Sequence, residues 1–331
     1  MDLRPLGNRD VQAALAFMAG LVAAQLLLTL GAKIFFECAN STGFLACIDP
    51  FAPQARVADI PAGLLQGLLP DPGSPAIVGK ALHARLIWMA SVVLVAFVSV
   101  AATVFAVACI LKERRLARWP TLAGLAVLIF ASALTATRSD VSRELLQAAV
   151  LTPTIASYAA GGIDLASFAV IRQFANALVA GATVAIVIAL AVRAALGPAL
   201  DAAAGIAPDA RSRLNDLRHL LVAGAAVLVA VLLTMAAWLS WPTAGLDRDA
   251  AGWLLIVDIA EGVGLYWGAV FSLSLFLAYV PSVAWLCHRL AAAGDETLSQ
   301  GSTMNQSVKV LQDIAALLSP LASALLPLVF V

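Results

Sequence analysis

Between Gly262 and Cys287 the chain reads GVGLYWGAVFSLSLFLAYVPSVAWLC, without one charged side chain. At about 1.5 Å of rise per helical residue, such a run exceeds the roughly 20 residues that a hydrocarbon core about 30 Å thick requires. Lipid offers peptide groups no partners, so the run must satisfy its own hydrogen bonds by coiling. Residues 11–32, 86–111, 119–137, 173–192 and 220–241 are uncharged in the same way. The expected fold is an all-α membrane protein, a six-span helical bundle over residues 1–290.

Composition agrees. Of the 331 residues, 62% are hydrophobic and 12% charged, against roughly 25% charged in soluble domains. The segments between the runs are too short for a sizeable water-soluble core. Twenty basic residues balance twenty acidic ones, so overall charge points to no nucleic-acid partner.

The position of the basic residues sets the expected orientation. With the amino terminus inside, the inner segments hold Arg4, Arg9, Lys112, Arg114, Arg115, Arg118, Arg193, Arg211, Arg213, Arg218, Arg289 and Lys309. The longer outer segments hold fewer, so both termini are expected inside, the amino terminus being cytoplasmic in a bacterial inner (cytoplasmic) membrane. The apolar run after Arg9 is longer than the core of a cleaved signal and is read as a retained first span. Residues 193–218 read as a hydrophilic connector between the fourth and fifth spans. The final segment, 291–331, reads as a cytoplasmic tail with an apolar helix over 314–331. That helix lies on the membrane, docks a partner or forms a seventh span; Pro320 and Pro327 favour the first two.

Several local features qualify as candidate sites. Gly264, Gly268 and Ser272 recur every four residues, which places three small side chains on one face where another helix can approach closely. Pro281 removes a donor from the helix and is a candidate kink or hinge. Ala177, Gly181, Ala185 and Ala189 form a second small-residue stripe. Ile60–Leu69 is apolar but too short to span, as an interfacial or re-entrant piece would be. Ser74 and Pro75 are placed to cap and open the helix of the second span. Gln25 is a polar residue in the middle of the first span, suited to a bond between helices.

Chemistry is sparse. Cys38 and Cys47 share one loop on the outer side; a disulfide between them would restrain the chain, and two free thiols are the alternative. Asp258 and Glu261 share a helix face at a span boundary, a weak cation site or a solvated face. His219 opens the fifth span and His288 closes the sixth, so both imidazoles are expected at the inner membrane level, where two histidines can ligate a haem iron. Interfacial anchoring is the plainer account of them, and no cofactor is expected. Nucleophile elbows, phosphate-binding glycine loops and metalloprotease motifs are absent. The six uncharged runs lack the ionisable groups that mark proton-coupled transport. The functional expectation is a non-catalytic subunit or scaffold of a membrane assembly, with other membrane subunits or a second copy as partner. A passive transporter or pore is the alternative, and a bis-histidine haem redox protein a remote one.

Overall fold

The structure, a computed structural model, describes residues 12–14, 16–21, 23, 75–112, 166–198, 210–243, 253–292 and 312–324. All the secondary structure among the described residues is helical. In chain order the helices are α1 (Gln12–Leu21), α2 (Pro75–Leu111), α3 (Ala166–Ala191), α4 (Ala210–Thr243), α5 (Trp253–Ala292) and α6 (residues 312–324).

Four of these helices carry apolar segments long enough to cross a membrane: Leu82–Leu111, Val170–Leu196, Ser212–Ser240 and Glu261–His288. Each contains one of the uncharged runs and extends beyond it. The run at 119–137 lies outside the described residues, and only the early part of 11–32 is described, as α1. Ser74 and the segment Ile60–Leu69 also lie outside them, whereas Pro75 does open α2. The four long helices make the chain compatible with life in a membrane.

Side-chain contacts fix the helix directions. Lys112 meets Asp216 at one end of the bundle while Ser91 meets Thr234 further along, so α2 and α4 are antiparallel. Arg193 meets Asp216, and at the other end the Arg172 guanidinium lies 5.9 Å from the Trp238 ring, so α3 is antiparallel to α4 as well. Helices α2 and α3 therefore run the same way. Residues 112 and 166 therefore lie at opposite ends of the bundle. Gly224 faces Leu275 and Leu239 clusters with Val263, which makes α5 antiparallel to α4.

Helix α3 is the central element. Some 61% of an 18-residue apolar stretch of its membrane-length segment is buried, against 28% for the same length of α2 and of α5. Its inner face is built from small and β-branched residues, with Ala182, Ala189 and Val192 fully enclosed. Side chains of that size allow close backbone approach where lipid supplies no hydrophobic drive between helices. Conversely, Leu86, Val93, Phe97 and Val104 of α2 are exposed. They form the apolar outer wall that a lipid-facing helix presents. Between the helices, the Thr234 hydroxyl lies within hydrogen-bonding distance of two carbonyls, Ala230 of its own helix (2.8 Å) and Ser91 of α2 (3.1 Å). The short helix α1 joins the core through Ala14, Met18 and Leu21, and Phe17 stacks on Trp285 of α5 at 4.7 Å.

Candidate functional site

The stretch expected to be a hydrophilic connector departs most from expectation. Helical structure persists through residue 198 and resumes at Ala210, which leaves Arg193, Arg213, Asp216 and Arg218 on helices. Directly after α3, Val192–Leu196 forms a π-helical turn, closed by the Gly197 N–H donating to the Val192 carbonyl. All five of its residues are buried. A π turn inserts one residue per turn and so re-aims side chains that an α-helix would point elsewhere.

Arg193 is the charged residue of that turn. Its guanidinium Nη2 lies 2.6 Å from Asp216 Oδ2, with the two side chains only 6% and 7% exposed. Lys112, at the end of α2, donates to the same carboxylate from 2.9 Å and 3.2 Å. Arg213, also buried, donates to the Arg193 carbonyl at 3.4 Å. One carboxylate on α4 thus gathers cations from α2 and α3. Asp216 offsets part of this positive charge; a buried ion without its partner would be costly. Cys109, fully buried, is one turn of α2 away from Lys112.

A second polar knot joins α4, α5 and α6. Arg218 Nε donates to Asp313 Oδ2 at 3.2 Å, and the Tyr279 hydroxyl donates to the same oxygen at 3.0 Å. Asp313 thus ties the described part of α6 to both α4 and α5.

From that knot α6 runs along α5. The Leu321 N–H donates to Ser272 Oγ at 3.1 Å. A Cβ placed on Gly268 would fall 2.6 Å from the Ala324 Cβ and 3.1 Å from the Pro320 carbonyl oxygen. Pro320 has no N–H to give the Ala316 carbonyl, and the Ser319 hydroxyl bonds that carbonyl at 2.9 Å instead. Of the three small residues spaced by four on α5, Gly268 and Ser272 therefore lie against α6. Gly264 has open space at its Cβ position, as does Gly181 of the α3 stripe.

The other candidates are placed as follows. Helix α5 continues through Pro281, and the neighbouring Ser282 hydroxyl bonds the Ala278 carbonyl at 2.7 Å. His219 is exposed, edge-on to Phe105 of α2, with Nδ1 3.3 Å from the Asn215 amide nitrogen. His288 is exposed in the last turns of α5. Glu261 is half-buried at the start of the α5 membrane segment; the Asp258 side chain lies outside the described residues, as do Cys38, Cys47 and Gln25. Cys109 and Cys287 are free thiols. Among the described residues no three His, Cys, Asp or Glu side chains gather as a metal site would need. Sequence reasoning singled out neither Asp216 nor Asp313. The signal for both was weak: a single acid at most a few residues ahead of an apolar run. Comparison with known proteins yields no match, whether to family models, curated proteins or solved structures.

Proposed function

We propose that this chain is a multi-pass integral membrane protein that serves as a non-catalytic subunit or scaffold of a membrane assembly. The observation that carries this reading is the use of polar side chains near the bundle end. Arg193, Lys112, Asp216, Arg218, Asp313 and Tyr279 each bond a side chain of another helix. Such groups inside a membrane protein ordinarily mark a substrate path or a structural joint. Here three helices share Asp216 or border its partners, and three share Asp313, which is the geometry of joints.

The proposed topology has six crossings before residue 290, with the amino terminus on the side of Lys112. The parallel course of α2 and α3 supports a crossing between them, and the concentration of basic residues at the Lys112 end supports that end as cytoplasmic. The expected setting is a bacterial inner membrane, with other membrane subunits or a second copy as partners.

The test is isolation of the full chain from its native membrane in a mild detergent, followed by native mass measurement. A species of fixed integer stoichiometry is expected, and liposomes carrying it should pass ions and small solutes no faster than protein-free liposomes. Saturable flux would instead favour a passive transporter or pore. One observation favours that second reading: the π turn places ionisable groups at the end of the central helix, and π turns often occur where helices work.

A further inference from the structure

The geometry points to α6 as a seventh membrane crossing, so that the chain beyond it emerges on the side opposite Lys112. This inference rests on α5 spanning the bilayer and goes beyond the six-crossing topology.

Three contacts establish the course of α6. Asp313 meets Tyr279, Leu321 meets Ser272, and Ala324 meets Gly268. As α6 advances from 313 to 324, its partners retreat along α5 from 279 to 268 at the same pace. The two helices are therefore antiparallel and side by side over about 16 Å at the usual helical rise. A helix lying in the membrane plane would cross α5 at a steep angle and touch it at one level. This one follows a membrane-length segment, Glu261–His288, toward its far end.

The outward face agrees with insertion. Ile314 and Leu318 are about half exposed, and Ala315 and Ala322 are exposed beside them. A helix resting at the interface needs a charged or strongly polar outer face. Beyond Gln312 the outer face of α6 has none, which suits contact with lipid. Residues 314–331 contain no charge. The described part, residues 312–324, already covers about 20 Å at helical rise, against the roughly 30 Å of hydrocarbon to be crossed. Asp313 stays at the level of Arg218, where the charge of the crossing's entry point is matched.

The experiment places cysteines at Gln312→Cys and, separately, at Val331→Cys, in a chain whose own four cysteines are replaced by alanine. Right-side-out and inverted membrane vesicles are then treated with a membrane-impermeant maleimide. Alkaline extraction of the same membranes first reports whether the chain is embedded at all, so failure of the underlying membrane reading is distinguishable. The expected result is labelling of position 312 from the Lys112 side alone and of position 331 from the opposite side alone. Labelling of both from one side, or of 331 from neither, overturns the seventh crossing. Should the cysteine-free chain fail to accumulate, an epitope appended after Val331 of the otherwise unaltered chain reports the same topology. Protease added to the face opposite Lys112 should remove it, and its survival there counts against the inference.

Discussion

Asp216 is worth more to this fold than its neighbours because it is the shared acceptor of two cations from different helices. Removing one partner of a buried pair leaves the other charge uncompensated, at about 3–5 kcal/mol. Asp216→Ala is therefore expected to lower the thermal unfolding midpoint of the detergent-solubilised protein steeply. Lys112→Ala should cost under about 1 kcal/mol, because the lysine is half exposed and water can replace the carboxylate. Equal losses in the two variants would show that the Arg193–Asp216 contact is not the anchor. Sequence alone could not rank the two. Lys112 and Asp216 are 104 positions apart, and nothing local marks that acid as the one that is buried.

At the scale of the element, the small-residue stripe of α5 shows what spacing reveals and what it leaves open. Gly264, Gly268 and Ser272 have identical spacing, yet only the latter two meet α6, since a periodic pattern defines a face and not its occupant. Gly268→Leu should force α6 away, because the atoms nearest an added side chain are the Ala324 methyl and backbone, none of which can rotate aside. The loss expected is of order 1–3 kcal/mol, read as faster proteolysis between α5 and α6 than in the parent. Gly264→Ala, with open space around it, should leave cleavage unchanged or slightly slowed; equal sensitivity in both variants would rule out the α5–α6 contact. Ser272→Ala removes the acceptor of the Leu321 N–H and should cost about 0.6 kcal/mol, the average of such bonds between membrane helices. Pro320 shows how a local rule can be offset by a neighbour. As an isolated residue it argues against a spanning helix, but Ser319 compensates the carbonyl it orphans, a repair that depends on side-chain geometry.

For the whole molecule, the long helices were legible because absence of charge over a membrane thickness leaves few alternatives. Pro75 was legible as the start of α2 for a comparably simple reason, its fixed backbone angle. The π turn and the continuation of helix into residues 210–218 were not legible. Charges there resemble a solvated connector until their partners on other helices are known. Orientation is open to direct test. Reporter domains that fold only on one side of the membrane, fused after residues 115 and 200, should report the same side, and fusions after residues 60 and 150 the other. A shared side for 115 and 150 would remove the crossing between α2 and α3.

The salt bridge between α3 and α4 also bears on how the protein is made. Arg193 reaches the membrane ahead of Asp216, and an arginine entering lipid alone meets a penalty of about 2.5–3.5 kcal/mol at the centre, less near an end. Helix α3 is thus a poor lodger until its hairpin mate arrives. A chain truncated after residue 200 and released should be cleared by membrane proteases, and one truncated after residue 250 should persist.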